Sequence, residues 1–143
     1  MKSVLVICVG NICRSPLAEG LMAKQLPQIQ VSSAGLAAVV GASADPKSAQ
    51  IARVNGFDIS THRAKQVTSW MCQRADLILV MEKSHRTDLM RMFPWVQGKV
   101  FCLAKEDIPD PYRQSVEIFN DGYRRICDGV GEWVKKINHI AGS

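Results

Sequence analysis

Residues 4–16 read Val-Leu-Val-Ile-Cys-Val-Gly-Asn-Ile-Cys-Arg-Ser-Pro. The run 4–9 is continuously apolar and largely β-branched, which suits a central parallel strand buried on both faces. Gly10 and Asn11 follow, the residue types that best tolerate left-handed backbone angles. Ser15 offers an N-cap and Pro16 a first-turn residue. Behind them Leu17, Ala18, Leu21, Met22 and Leu26 share one helical stripe, which Pro27 ends. A buried strand, a tight turn and a helix in direct succession set the chain on an α/β course.

Further along, the alternation continues. Residues 29–33 form a second, shorter strand leading into a loop bounded by Gly35 and Gly41. Asp45 and Pro46 repeat the cap-then-proline pattern for a helix over 47–55, with Gly56 as its stop. Residues 57–66 read as loop, and Thr68 caps a short helix to Arg74. Residues 76–81 are the second strongly buried strand. Ser84 caps a helix reaching Phe93, closed by Pro94, and Gly98 turns the chain into a fourth strand over 99–103.

After a polar loop over 106–114, Val116, Phe119, Tyr123, Ile126, Val130, Trp133 and Ile137 are spaced 3, 4, 3, 4, 3, 4, an apolar stripe of nearly six turns. Gly122, Gly129 and Gly131 within it each cost about 1 kcal/mol in propensity, so packing must hold that helix. The expected fold is α/β in three layers: a four-stranded parallel sheet with helices on both faces, right-handed crossovers, and a phosphate-binding loop after strand 1.

The 143 residues fit one domain, 1–143, able to bury a sizeable core without metal or disulfide staples. Apolar residues at 47% and charged residues at 22% exclude a disordered, collagen-like or coiled-coil chain. Eighteen Lys and Arg against 13 Asp and Glu give a net charge of +5, which favours anionic partners. The positives are dispersed and no nucleic-acid signature accompanies them, so no nucleic-acid partner is expected. Five cysteines, an odd and sparse set, argue against a secreted disulfide framework. The opening apolar run lacks a small-residue cleavage site, and no stretch is long enough for a membrane span. A cytoplasmic location is expected, with no stable membrane insertion and a monomeric or weakly homo-oligomeric state.

The loop after the first strand carries the chemistry. Gly10 and Asn11 let successive N–H groups of Val9, Gly10, Asn11, Ile12 and Cys13 curl into an anion nest at the positive end of the following helix. Cys8 sits beneath that nest, where the amides, the helix dipole, Arg14 and the Ser15 hydroxyl favour its thiolate. Arg14 offers a planar fork matched to two phosphoryl oxygens. Together these groups suit covalent phosphoryl transfer, with a thiolate attacking phosphorus in line while the nest and Arg14 hold the equatorial oxygens. The loop is not a Walker A element, since it lacks the GxxxxGK[ST] run. No cofactor is called for, and the cysteines and histidines lack zinc spacing. A leaving oxygen needs a proton from a general acid, and Glu106, Asp107 and Asp110 in the polar loop are the candidates.

Cys8–Pro16, CVGNICRSP, closely resembles the signature loop of the low-molecular-weight protein tyrosine phosphatases. Ser33-Ala34-Gly35, Ala44-Asp45-Pro46, Ala64-Lys65-Gln66, residues 76–82 (DLILVME) and Asp110-Pro111-Tyr112 also fall where that family has similar segments, so the likeness covers essentially the whole chain. The resemblance implies that Cys8 is the nucleophile, Arg14 binds the phosphoryl group, Asn11 shapes the loop and Ser15 supports the thiolate. It also selects Asp110 as the general acid. Cys13 is implied as a reversible redox partner of Cys8; as a residue alone it reads equally as a small buried hydrophobe. His62, His85 and His139 carry no comparable support; His62 is a candidate for orienting loops near the site, but such a histidine is more often a satisfied surface or half-buried residue.

The chain departs from the family's best-known members in its cleft walls. Residues 36–41 hold no aromatic, and the residue after Tyr112 is Arg113 rather than a second tyrosine. The walls are expected to be Tyr112 on one side and small aliphatics on the other, with a specificity rim of Val39, Val40 and Arg113. This is similar to the bacterial subgroup that dephosphorylates tyrosine autokinases governing capsule or exopolysaccharide export, so the expected partner is a phosphotyrosine protein, an autokinase of that kind. A thiol-dependent arsenate reductase shares such a loop but needs a distal cysteine pair, and residues 81–93 contain no cysteine. A non-enzymatic phosphopeptide-binding module would need neither Cys8 nor Asp110.

Overall fold

The structure, a computed structural model, describes residues 1–142. Strand β1 (Ser3–Cys8) leads into helix α1 (Arg14–Gln25), then β2 (Gln30–Gly35) and α2 (Pro46–Val54). Helix α3 (Ser69–Arg74), β3 (Leu77–Val80), α4 (Lys83–Met92), a short 3₁₀ turn (Pro94–Val96), β4 (Val100–Cys102) and α5 (Val116–Gly142) complete the chain. The sheet has the order β2-β1-β3-β4, and all its pairings are parallel. The three-layer α/β expectation holds.

Alternation along the strands distributes the apolar side chains between two cores. Val4, Val6 and Cys8 of β1, with Leu77 and Leu79 of β3, meet α1, α2 and α5 through Leu17, Met22, Ile51, Phe119, Ile126 and Ile137. Leu5, Ile7, Ile78 and Val80 point the other way, against Cys72 of α3, Leu89 of α4 and Val96. Burial on both faces explains why β1 and β3 read as unbroken apolar runs. The stripe of α5 is buried at Phe119, Ile126, Val130 and Ile137, whereas Val116 at its start is exposed.

Several local expectations are met. Asp45 caps α2 by accepting from Lys47 N–H, Pro46 opens that helix, and Gly56 (φ +84°) follows its end. Thr68 caps α3 through Met71 N–H. Others need correction. Ser15 does not cap α1: the N-cap position is Cys13, without a side-chain bond, because the Ser15 hydroxyl is turned inward to Cys8 and Asn11. Ser84 lies inside α4, whose cap position is Glu82, and that carboxylate is drawn away to Arg14. Pro94 opens the 3₁₀ turn as well as closing α4, since proline suits a first turn.

Strand order decides where a ligand can sit. β1 is central, with its crossover through α1 going to β2 on one side and the later strands lying on the other, so the loop after β1 opens at the switch point of the sheet. No helix among the described residues is long and apolar enough to cross a membrane.

Candidate active site

Cys8 ends β1 and is 2% exposed. The loop then bends sharply at Asn11, whose φ of +59° is left-handed. Gly10 was the other candidate for that conformation, but it does not adopt a positive φ. Asparagine tolerates the bend because its side chain can satisfy nearby groups, and here it does so fully. Its Oδ1 accepts from Lys65 N–H at 2.9 Å, and its Nδ2 donates to Ser15 Oγ at 2.8 Å and Ser33 Oγ at 2.9 Å. Its backbone N–H points to Cys8 Sγ at 3.3 Å. Ser15 Oγ lies 2.9 Å from the same sulfur.

A second tier supports this one. Ser33 Oγ donates to Glu19 Oε1 at 2.5 Å. His62 Nε2 lies 2.6 Å from the Asn11 carbonyl, and a carbonyl only accepts, so that nitrogen carries the proton. His62 therefore acts on the loop, the less common of its two readings from sequence.

Arg14 is 2% exposed, so its charge requires internal partners. Nη1 supplies two bonds, to Glu82 Oε2 at 2.6 Å and to the Ile108 carbonyl at 2.8 Å. Nη2 stands 4.0 Å from Asp110 Oδ2, and Nε is buried with no acceptor. One end of the guanidinium is thus anchored, and the Nε–Nη2 edge keeps its donors for another anion.

The loop carrying Asp110 is tied to the end of β3 by Ile108 N–H on the Met81 carbonyl (3.0 Å) and by Lys83 N–H on Asp107 Oδ1 (2.9 Å). The Asp110 carboxylate is half-exposed, with Oδ1 accepting from Tyr112 N–H at 3.1 Å. Of the other two carboxylates in that loop, Asp107 is engaged in this tether.

These groups surround one cleft of about 210 Å³. It is lined by Cys8, Val9, Gly10, Ile12, Cys13, Arg14, Ala37, Val39, Asp110 and Tyr112. Asn11 and Ser15 lie beneath it, both fully buried. Of the three rim residues, only Val39 is in the lining. Val40 is 71% exposed, and Arg113 (φ +63°) lies outside the lining with its guanidinium 5.2 Å from the centre of the Tyr112 ring. Burial, then Asp45, Asp110 and Cys8, push the Cys13 thiol up to about 12, so it is protonated at neutral pH. Cys8 and Cys13 are both free thiols. Among the described residues no group of three or more His, Cys, Asp or Glu is arranged to hold a metal ion.

Glu82, Ile108 and Glu19 were not singled out by sequence reasoning. Glu82 alone left a signal: it directly follows a buried strand, and the carboxyl ends of such strands form the ligand crevice. His85, set aside in the sequence, is buried beside it.

The family profile described as "Low molecular weight phosphotyrosine protein phosphatase" matches residues 3–141. The chain is 42% identical over 143 residues to the probable low molecular weight protein-tyrosine-phosphatase EpsP of Ralstonia nicotianae, covering 98% of this chain and 99% of that protein. Among solved structures, Vibrio vulnificus Wzb in complex with benzylphosphonate superposes with a TM-score of 0.92 at 42% identity, over 94% of this chain and 98% of the other. The tyrosine phosphatase Wzb from Escherichia coli K30 in complex with sulphate gives 0.92 at 38% identity, over 95% and 98%.

Proposed function

The chain belongs to the low molecular weight phosphotyrosine protein phosphatase family, and we propose that its reaction passes through a phosphorylated Cys8. The observation that carries this reading is the donor set around one cleft. Cys8 Sγ faces the Asn11 N–H and the Ser15 hydroxyl, while the Nε–Nη2 edge of Arg14 has donors to spare beside it.

In the first step the Cys8 thiolate attacks phosphorus, an S–P bond forms, and the P–O bond to tyrosine breaks. The departing phenolic oxygen takes the proton of the Asp110 carboxyl group. The amides of Val9, Gly10, Ile12 and Cys13 and the Arg14 fork hold the equatorial oxygens, where preorganised donors act most strongly on the transition state. In the second step the Asp110 carboxylate takes a proton from water. The water oxygen attacks phosphorus, and phosphate leaves with return of the thiolate. Asp110 fits both steps, being half-exposed at the cleft mouth with one oxygen engaged by Tyr112 N–H.

Ile12, Ala37, Val39 and Tyr112 make the walls apolar and aromatic, suited to an aryl ring above a tetrahedral anion. The benzylphosphonate held by one Wzb structure joins an aryl ring to a tetrahedral anion, and the sulphate held by another is a tetrahedral anion alone. The substrate we propose is the phosphotyrosine of a bacterial tyrosine autokinase governing capsule or exopolysaccharide export, as in the subgroup with similar aliphatic walls. Arg113 would meet acidic or phosphorylated residues flanking that tyrosine.

The test is hydrolysis of an aryl phosphate in EDTA and fresh reductant by the wild type, Cys8→Ser and Asp110→Ala. The expected result is turnover that vanishes with Cys8→Ser and falls about 10²-fold or more with Asp110→Ala. Binding of phosphate without release of phenol by the wild type would overturn the reading.

A further inference from the structure

We propose that His85 is a positioning residue, one that sets the phosphate-facing edge of Arg14 by holding the Glu82 carboxylate. The proposal rests on the reading above that Arg14 binds the phosphoryl group.

His85 lies in the first turn of α4 and is 3% exposed. Its Nε2 stands 3.3 Å from Glu82 Oε2, the same oxygen that receives Arg14 Nη1 at 2.6 Å. One carboxylate oxygen therefore faces both the guanidinium and the imidazole. A nitrogen lone pair aimed at a carboxylate would be repelled, so Nε2 carries the hydrogen. That leaves Nδ1 as the bare nitrogen, and it is buried without a partner. A neutral ring tolerates this arrangement; an imidazolium would bury an unpaired N–H and add a second positive charge beside Arg14. The charged groups around His85 divide accordingly. Burial and Arg14 hold its pKa below the usual histidine value, against Glu82, Asp88 and Asp107, which act in the opposite direction.

Glu82 needs such a neighbour. Its side chain is 27% exposed, and among the described residues its carboxylate meets only Arg14 and His85. Without the imidazole it is free to turn to water. Arg14 Nη1 would then keep only the Ile108 carbonyl, and a guanidinium held by one acceptor can tilt about it. The tilt would displace the Nε–Nη2 edge, and small misplacements of a binding fork are expensive in rate.

The experiment is a double-mutant cycle on aryl phosphate hydrolysis and vanadate inhibition, using His85→Ala, Glu82→Ala and the double variant, with His85→Gln and Arg14→Lys alongside. Removing His85 is expected to lower kcat about tenfold and to weaken vanadate by a similar factor, with little change in KM. His85→Gln, whose amide N–H can reach the same carboxylate, recovers most of both. In the Glu82→Ala background, His85→Ala costs nothing further. Equal losses in the two backgrounds, or no loss in the wild-type background, would overturn the proposal, since a purely structural histidine does not act through Glu82. If His85→Ala fails to fold, His85→Gln and His85→Phe decide the question: the first should stay active and the second should not, and equal kcat values overturn it. Wild-type vanadate affinity in Arg14→Lys would strike the underlying reading of Arg14 instead.

Discussion

The hydroxyl oxygen of Ser15 stands 2.9 Å from Cys8 Sγ and accepts the side-chain amide of Asn11 at 2.8 Å. Because that oxygen already accepts from nitrogen, its own proton is free to point at the sulfur. The direction of every neighbouring bond follows. Lys65 N–H on Asn11 Oδ1 sets the amide's orientation, and its other N–H goes to Ser33, whose hydroxyl proton goes to Glu19. The network thus runs from a carboxylate at one end to the cysteine at the other, with a donor turned to the sulfur.

Ser15→Ala removes that donor and leaves an Asn11 N–H without its acceptor. With the proposed nucleophile less well supported, kcat for an aryl phosphate is expected to fall about 10- to 100-fold. Alkylation of Cys8 by iodoacetate at the same pH should slow with it. Alkylation at the wild-type rate would show that the hydroxyl does not support the thiolate.

Cys13 gives a pH dependence with a defined sign. If Cys8 is oxidised to its sulfenic acid, closure of a Cys8–Cys13 disulfide with loss of water needs the Cys13 thiolate. Its thiol is pushed up to about 12, so below that pH the thiolate fraction grows about tenfold per pH unit. After brief peroxide treatment, the share of activity recovered by dithiothreitol should rise from pH 6 to pH 8.5 in the wild type. It should not do so in Cys13→Ser. A flat profile would leave Cys13 as a buried hydrophobe.

Two glycines of α5 are expected to respond oppositely to alanine. At Gly131 a Cβ would meet nothing within 4 Å, so Gly131→Ala should stabilise by about 1 kcal/mol through helix propensity. At Gly129 it would lie 2.8 Å from the Leu103 carbonyl oxygen, a backbone atom beyond β4. Gly129→Ala should therefore destabilise by about 1–3 kcal/mol despite the same gain in propensity. Urea unfolding of both variants reads the two signs.

Arg113 adopts a left-handed backbone and lays its guanidinium over the ring of Tyr112, a wall of the cleft. Arg113→Glu should raise KM for an acidic phosphotyrosine peptide far more than for a small aryl phosphate, and added salt should narrow the gap. Equal effects on the two substrates would remove Arg113 from recognition.

Much of this molecule was legible in one dimension. The apolar runs of β1 and β3 announced a sheet buried on both faces, and the Asp45–Pro46 and Thr68 signals located two helix starts. The α5 stripe predicted burial at Phe119, Ile126, Val130 and Ile137, with Tyr123 and Trp133 half-buried and Val116 exposed. The capping expectations at Ser15 and Ser84 both fail. Capping preference is local, but α1 starts at the crowded end of the sheet, where Cys8 and Asn11 engage the Ser15 hydroxyl, and α4 starts at Lys83, one residue before Ser84.

Cys8, Asn11, Arg14 and Ser15 are neighbours in the chain, so their spacing was enough to outline an anion-binding loop. Which edge of Arg14 remains free was decided elsewhere. Glu82 and Ile108 are 68 and 94 residues away, and they reach Nη1 only because β3 lies beside β1 and the loop after β4 is tied to the end of β3. Backbone conformation and helix capping depend mainly on adjacent residues, so sequence determines much of them. The pairing of a buried charge depends on which strand ends are brought together, and that belongs to the tertiary structure alone.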